Sequence, residues 1–298
     1  VKTLETVTDD PKELNPFSYV MEKHQRNYGG NGKIAKYMQA AYRYPENFSD
    51  FVYASQLLQA DGIRYGVEHY RRNRGRCMGA IYWQLNDCWP VISWSSIDYY
   101  GRWKALHYYV KRFFAPVMLS CEEQSWMTVE ADMNRQHFEF EKSIRLNVTN
   151  ETLDAHRVLV KWAVRKTDAT ILREEEQWLE VPALSAVWMD KVEFPQIDCF
   201  NEYVSYEAWE NDQIISQGTV IFSYPKYFHY LNPGLAVRVD GDEIVVKAEA
   251  YAKSVEIRNE NDDLILEDNY FDMNAGEYRV KILDGKPDGL KVRSVYDI

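Results

Sequence analysis

The sequence predicts an α/β segment that is followed by two all-β domains. Over the first 118 residues, apolar residues recur at helical spacing and then give way to a short apolar run. After Pro116 the pattern changes to strands in which apolar and polar residues alternate, as they do through Ile144, Leu146 and Val148. The chain has 298 residues, which is enough for two or three domains with separate cores.

The α/β segment contains a helix, a buried strand, a loop and a second helix. Ser49 is a suitable N-cap, and the apolar stripe behind it predicts a helix that ends before Gly75. The run Met78–Trp83 shows no alternation, which is typical of a parallel strand buried on both faces. An apolar stripe from Trp103 to Phe113 predicts the second helix. One parallel strand cannot form a sheet, so we expect this segment to be part of a larger architecture, with two or three helices docked against the first β domain.

The β region divides at a proline-containing joint, Tyr224 to Gly234. Before the joint, alternation and turn spacing predict an antiparallel sandwich of about a hundred residues. Its further strands are expected near residues 126–133, 158–164, 187–194, 203–209 and 219–223. After the joint, Asp240-Gly241 is a hairpin turn between two strand-like runs. Strands near 253–258, 277–282 and 290–295 complete a smaller β domain.

Composition excludes several classes of partner. The net charge of −11 disfavours nucleic acid and anionic membrane surfaces, because phosphate groups require lysine and arginine for neutralisation. No apolar run approaches the ~20 residues of a membrane-spanning helix. The histidines and the four cysteines show no metal-ligand spacing, so we expect no metal and no cofactor. The cysteines are interpreted as free, mostly buried thiols, although the sequence leaves a disulfide open.

The first residues are typical of a loop within a protein. The opening, VKTLETVTDDPKELNP, has neither a positively charged n-region nor an apolar h-region. Loss of a tag or propeptide would explain this opening, and the family resemblance described below makes a truncated chain the better explanation. The compartment is left open, with secreted, periplasmic or lysosomal placement preferred over nuclear.

Residues 79–116 carry the features that point to a function. This stretch holds eleven aromatic residues in 38 positions. Trp83 lies at the C-terminal end of the predicted strand, and Gln84, Asn86 and Asp87 follow it. In barrel enzymes the ligand lies at the C-terminal ends of the strands. An indole face beside amides and a carboxylate suits a pyranose ring, although a tryptophan-rich structural core explains the same residues.

Several motifs in the chain resemble the β-mannosidase branch of glycoside hydrolase family 2. The most specific are YWQLNDCWP at Tyr82–Pro90 and SWSSIDYYGRWKALHY at Ser93–Tyr108. Further matches are YASQLLQADGI at Tyr53–Ile63, YRRNRGRCMGA at Tyr70–Ala80, FFAPV at Phe113–Val117, AYAKSVEI at Ala250–Ile257, DNYFDMNAGE at Asp268–Glu277 and LKVRSVYDI at Leu290–Ile298. The resemblance therefore extends along the whole chain.

The resemblance implies a C-terminal fragment of a (β/α)8 barrel followed by two immunoglobulin-like β-sandwich domains. Residues 1–118 would be the C-terminal part of the barrel, with Met78–Trp83 as its eighth strand. Residues 119–230 and 231–298 would form the sandwiches. The implied activity is retaining hydrolysis of terminal non-reducing β-D-mannose residues. The implied partner is therefore a β-mannoside, contacted by Trp83, Asn86, Asp87 and Trp94, with Trp83 lining the −1 subsite.

The family's catalytic pair is missing from this sequence. Retaining glycosidases use two carboxylates ~5–5.5 Å apart, one as nucleophile and one as acid/base. In the family, the nucleophile lies in a Ser-Glu-(Phe or Tyr)-Gly-Phe-Gln-Ser tract and the acid/base follows an asparagine, and no such tract occurs here. The Asn-Glu pairs at 150–151, 201–202 and 259–260 fall in the β domains and are interpreted as solvated turn residues. Asp87 and Asp98 lack a positioned partner, and the better role for Asp87 is to hold the loop or a neighbouring cation.

The glycine run at residues 29–32 invites comparison with a phosphate-binding loop. That motif would require a glycine at position 27 and a serine or threonine at position 34, where the chain has Asn27 and Ile34. We interpret the run as a turn into a helix that begins near Lys33.

Two functional hypotheses follow. Under the first, this chain is part of a β-mannosidase and is inactive alone, because no catalytic residue lies in it. Under the second, it is a non-catalytic module for carbohydrate binding or assembly. Another sugar specificity within family 2 is a further alternative, and the incomplete barrel allows self-association.

Overall fold

The computed structural model describes residues 1–129 and 139–298. Five α-helices precede the β region, with short 3-10 helices at Pro11–Glu13, Pro225–Tyr227 and Val295–Asp297. The helices are α1 Lys2–Glu5, α2 Tyr19–His24, α3 Gly30–Ala41, α4 Phe48–Arg72 and α5 Ala105–Phe113. The strands are β1 Val117–Gln124, β2 Ser143–Asn150, β3 His156–Lys166, β4 Ile171–Val181, β5 Ser185–Trp188, β6 Val192–Glu193, β7 Glu202–Glu210, β8 Gln213–Ile221, β9 Ala236–Asp240, β10 Glu243–Ala248, β11 Ala252–Arg258, β12 Ile265–Leu266, β13 Phe271–Met273, β14 Gly276–Asp284 and β15 Lys291–Arg293.

The chain divides into two compact units, and the first comprises Val1–Arg64, Ile81–Val110 and Asn232–Ile298. Its β part contains two antiparallel sheets, β12-β14-β10-β9 and β13-β11-β15. The helical part packs on these sheets through buried polar contacts. The Tyr53 hydroxyl donates to the Ser254 carbonyl at 2.6 Å, and the Arg293 guanidinium contacts both Asp50 and Glu256.

The second unit, Tyr65–Ala80 and Lys111–Leu231, is a β-sandwich. One sheet has the order β1-β2-β5 with β6 also paired to β2, and the other has the order β4-β3-β7-β8. The apolar side chains of the two inner faces form one core, which includes Leu146, Val160, Trp162 and Phe222. The end of α4 joins this unit, because Arg72 Nη1 donates to the Cys121 carbonyl at 3.1 Å.

Most of the predicted β strands form, within a few residues of their expected positions. The Asp240-Gly241 turn is confirmed, and Gly241 has a φ of +66°, which glycine adopts without steric cost. The strand predicted near 126–133 does not form over its first part, where residues 126–128 make a turn and residue 129 a bend. The rest of that segment, 130–133, lies outside the described residues.

The α/β segment differs from the prediction in three respects. Residues 78–83 form no strand, since within the described chain no neighbouring strand pairs with them. Two short helices, α1 and α2, were not predicted, because six or fewer residues give too short a window for helical periodicity to be seen. Helix α3 begins at Gly30, three residues before the predicted start.

Candidate functional site

The loop after residue 83 is held in shape by its own main chain. Asn86 and Ile97 form a parallel bridge, and Ile97 and Trp103 form an antiparallel one. The Ile97 amide donates to the Leu85 carbonyl at 2.8 Å, and the Lys104 amide donates to the Ser96 carbonyl at 2.9 Å. The loop therefore folds back on itself, so that its two ends lie side by side.

Asp87 is at the centre of this loop. Its side chain is buried, and both carboxylate oxygens are occupied. The Ser93 hydroxyl donates to Oδ1 at 2.5 Å, and the Ser95 hydroxyl donates to Oδ2 at 2.6 Å. Lys104 Nζ lies 3.2 Å from Oδ2 and also donates to Ser95 at 2.7 Å. This geometry fits the interpretation that Asp87 holds a neighbouring cation, and a direct contact between Asp87 and substrate stays a prediction.

Burial dominates the electrostatics around this network. Removal from water lowers the pKa of Lys104, although the Asp87 carboxylate opposes that shift. Burial likewise lowers the pKa of His107, whose Nδ1 lies 3.1 Å from the Ser96 hydroxyl. Burial raises the pKa of Tyr108 to about 12. These shifts keep His107 and Tyr108 neutral near pH 7.

Trp83 and Asn86 lie on the open side of the loop. The Trp83 side chain is 72% exposed, and the peptide bond between Trp83 and Gln84 is cis. Asn86 is exposed, and its Nδ2 donates to the Asp87 carbonyl at 3.2 Å. An exposed indole and an exposed amide in one loop offer an apolar face and hydrogen-bonding groups, and a sugar contact at these residues stays a prediction.

Trp94 lies on the inner side of the same loop. Its carbonyl accepts a hydrogen bond from Gln59 Nε2 at 2.7 Å, and its buried indole N–H has no hydrogen-bond partner among the described residues. Trp94 lines a cavity of about 430 Å³ within the first unit. The volume is within the range of small-molecule sites. Other walls of the cavity come from Phe51, Gln56, Ser93, Trp103 and Tyr270.

The four predicted contact residues therefore fall into two groups. Trp94 lines the cavity, whereas Trp83, Asn86 and Asp87 do not. Asp87 connects the groups indirectly, because Ser93 and Lys104 contact Asp87 and also line the cavity.

A second segment contacts the loop and was missed as part of the site. The His24 ring stacks on Trp89 with centroids 4.8 Å apart, and the Arg26 guanidinium lies 4.1 Å from the centre of the Trp89 ring. Gln25 Nε2 donates to the Ile92 carbonyl at 2.8 Å. Only the neighbouring glycine run drew attention to this segment in the sequence. It supports residues 89–92, and the Trp89 ring packs against His24 and Arg26.

The carboxylates of Asp87 and Asp98 accept hydrogen bonds from groups of the surrounding fold. Asp98 accepts hydrogen bonds from the Thr3 hydroxyl and from the amides of Tyr100 and Arg102, each amide at 2.9 Å. Both carboxylate oxygens of Asp87 accept hydrogen bonds, as described above.

The Asn-Glu pairs correct one expectation. Asn150 and Asn259 were interpreted as solvated turn residues, yet both are buried. Asn150 Nδ2 donates to the Asp154 carbonyl at 2.8 Å, and Asn259 Nδ2 donates to the Lys286 carbonyl at 2.9 Å. Their amides hold neighbouring turns, and burial follows because a turn needs its unpaired backbone groups satisfied.

The described residues contain no group of three or more His, Cys, Asp or Glu side chains that could hold a metal ion. Within the same ranges, none of the helices combines the length and apolar character that a membrane span requires.

Comparison with known proteins identifies the two β domains. Residues 142–227 match the family described as the Mannosidase Ig/CBM-like domain, and residues 230–298 match an Ig-fold domain family. The β part of the chain is thus built from immunoglobulin-like domains of a kind found in mannosidases.

Relatives along the whole chain are more specific. β-Mannosidase B from Thermothelomyces thermophilus is 29% identical over 97% of this chain, and that from Aspergillus terreus is 26% identical over 96%. The crystal structure of β-D-mannosidase from Dictyoglomus thermophilum superposes on 99% of the chain with a TM-score of 0.83 at 23% identity. The resemblance to the C-terminal portion of family 2 β-mannosidases is therefore confirmed. The chain spans about a third of the length of these relatives, 36% and 35% of the two fungal proteins.

Proposed function

We propose that this chain is the C-terminal part of a retaining β-mannosidase that hydrolyses terminal non-reducing β-D-mannose residues. The observation that carries the proposal is the similarity to β-mannosidases over 97% of the chain. This similarity includes the loop that follows Trp83 as well as the two β domains. A shared β-sandwich alone would support only a common architecture.

In this proposal, residues 1–118 are the end of a (β/α)8 barrel, with sandwiches at 119–230 and 231–298. Met78–Trp83 would be the eighth strand. Within the described residues, no backbone amide from 78 to 85 donates a hydrogen bond to the main chain. Those groups are free to pair with neighbouring strands, and Trp83 would then lie at the C-terminal end of a barrel strand, where barrel enzymes bind substrate.

The substrate contacts would be divided between the two sides of the loop. Trp83 offers its exposed ring to the apolar face of a mannose ring at the −1 subsite. Asn86 offers an amide to the hydroxyls. Asp87 fixes the loop through Ser93, Ser95 and Lys104, and Trp94 offers an indole N–H that has no acceptor within the described fold.

The chain by itself should not catalyse the reaction. Retention requires two carboxylates ~5–5.5 Å apart, and the carboxylates of the loop are engaged in structural hydrogen bonds. Loss of both groups should remove nearly all of an enhancement that is typically ~10⁶-fold or more. The purified chain should therefore show no turnover of aryl β-mannosides above the buffer rate.

A panel of aryl β-mannoside, β-glucosaminide, β-galactoside and β-glucuronide separates the alternatives when it is run on a full-length protein that contains this sequence. Selective turnover of the mannoside supports the proposal, and Trp83→Ala should then reduce kcat/KM at least about tenfold. Trp188→Ala, in the sandwich, is the matched control. Selective turnover of another glycoside would indicate another specificity, and no turnover at all would favour a binding or assembly module. Turnover by this chain alone that survives repeated repurification would contradict the missing-carboxylate argument.

Self-association through the unpaired Met78–Trp83 segment is part of the same proposal. Sedimentation of the isolated chain at several concentrations tests it, since pairing between copies would raise the average mass with concentration.

A further inference from the structure

The outer face of one sandwich sheet carries a row of apolar side chains that the proposed activity does not use. Register places Leu159 of β3 opposite both Trp178 of β4 and Trp209 of β7. Trp209 in turn lies opposite Ile214 of β8. Directly opposed residues in an antiparallel pair point to the same face. The row therefore crosses all four strands of the sheet.

This row is accessible to solvent. Trp178 is 53% exposed and Ile214 is 43% exposed, while Leu159 and Trp209 are half-buried. Farther along the same face the sheet is covered, because Tyr203 is buried against Phe228. The two indoles thus stand on the uncovered end. They are two strand spacings apart, about 10 Å.

Polar side chains border the row on both sides. Arg157 and Glu180 are opposed to each other on one side, and their charged groups lie 3.4 Å apart. On the other side Lys161 lies opposite both Glu176 and Glu207, and it forms a 3.5 Å ion pair with Glu176. These five residues carry two positive and three negative charges, so the border has almost no net charge.

The cations of the border rest on the tryptophans. Arg157 Cζ lies 4.6 Å from the centre of the Trp178 ring, and Lys161 Nζ lies 5.4 Å from that of Trp209. Both cationic side chains are well exposed. Exposed ion pairs and cation–π contacts are weak. A ligand can therefore displace these two side chains from the rings and still receive hydrogen bonds from them.

We propose that this face binds a linear neutral polysaccharide, with pyranose rings stacked on Trp178 and Trp209. Two indole rings in one row suit the C–H faces of sugar rings, and the mixed border suits hydroxyls, which both donate and accept. A border with almost no net charge does not select a polyanion or a polycation. Four apolar side chains also fall well short of the ~20–30 residues a side of a standard protein interface. This inference does not depend on the hydrolytic activity proposed above.

Calorimetric titration of the full chain with β-1,4-linked mannohexaose and with cellohexaose tests the proposal. At least one hexasaccharide should bind, and the Kd should change little between 50 mM and 500 mM salt because the ligand is uncharged. Trp178→Ala and Trp209→Ala should each weaken binding about tenfold. The double variant should lose measurable binding, whereas Trp209→Phe should retain part of it because a ring remains.

A control variant keeps the result specific. Trp188→Ala removes a tryptophan of the other sheet that also lies under an arginine, with Arg145 Cζ 4.6 Å from its ring centre, and it should leave the Kd unchanged. Absence of binding of both hexasaccharides would overturn the proposal. So would unaltered binding by a folded double variant. Concentration-dependent dimerisation that the double variant abolishes would instead assign the face to a second copy of the chain.

Discussion

Replacement of Asp87 by asparagine tests whether this residue holds the loop. The substitution keeps the size of the side chain and removes its charge. It leaves Lys104 buried without a counter-charge and places an amide N–H₂ where one carboxylate oxygen now accepts hydrogen bonds. The side chain of Lys104 is only 13% exposed, so water cannot readily replace the lost partner.

The magnitude can be estimated from the geometry. At the observed separation of 3.2 Å and an effective dielectric constant of about 20, the attraction between Lys104 and Asp87 is about 5 kcal/mol. Part of that attraction offsets the desolvation of both groups. Removal of one partner of a buried pair nevertheless costs about 3–5 kcal/mol, because the other charge is left uncompensated. We therefore expect Asp87→Asn to lower the free energy of unfolding of the first unit by about 3 kcal/mol.

Urea unfolding followed by tryptophan fluorescence measures this loss, and hydrogen exchange at residues 85–97 locates it. Asp242→Asn is the control, because Asp242 forms an exposed ion pair with Lys281 at 3.6 Å and should change stability by less than about 1 kcal/mol. The double variant Asp87→Asn with Lys104→Met should recover part of the loss, since no buried charge remains. A loss no greater than that of Asp242→Asn, with unchanged exchange in the loop, would refute the structural role of Asp87.

Three further perturbations test other parts of the fold. Tyr53→Phe removes the buried hydrogen bond to the Ser254 carbonyl and should cost about 1–2 kcal/mol in urea unfolding, whereas Tyr44→Phe at an exposed site should cost little. Burial lowers the pKa of His107 in the folded chain, so its contribution to stability is complete above the ordinary histidine pKa of about 6.5 and is lost as the pH falls through the lower, folded value. Melting temperatures between pH 7 and pH 5 should therefore fall less steeply in a folded His107→Gln variant than in the parent, and parallel slopes would contradict this. Amides 78–83 should exchange much faster than those of β2 and β3 in a dilute monomer, and equal protection would show that this segment needs no partner strand.

The sandwich strands could be predicted from the sequence because the alternation of apolar and polar residues in each strand matches its buried and exposed faces. In β3, Val158, Val160 and Trp162 are buried and Arg157 is exposed, so the alternation in the sequence matches the two faces of the sheet. Strand β4 was not predicted because its sequence lacks this alternation. It is an edge strand of its sheet, and it carries charged residues on both faces through Glu174 to Glu176. Charged edge strands hinder pairing with other chains, and this role removes the apolar alternation that would identify them.

The site was predictable in its residues but not in its arrangement. The run after Trp83 directed attention to Asn86 and Asp87, and the lack of a second positioned carboxylate made a structural role beside a cation the better hypothesis for Asp87. The Gln59 contact with Trp94 and the cavity beside it depend on segments that are distant in sequence. No periodicity in one segment encodes which distant segment will lie against it.

The segment Met78–Trp83 shows where a local pattern stops being sufficient. Its apolar run is typical of a buried parallel strand, yet a strand is a relation between two backbones and does not belong to one of them. Without a neighbour among the described residues the segment has no ladder, and Ile81 is fully exposed. An apolar side chain in that position gains nothing from hydrophobic burial until a second surface covers it. Protection of this segment in hydrogen exchange therefore measures directly whether a partner strand covers it.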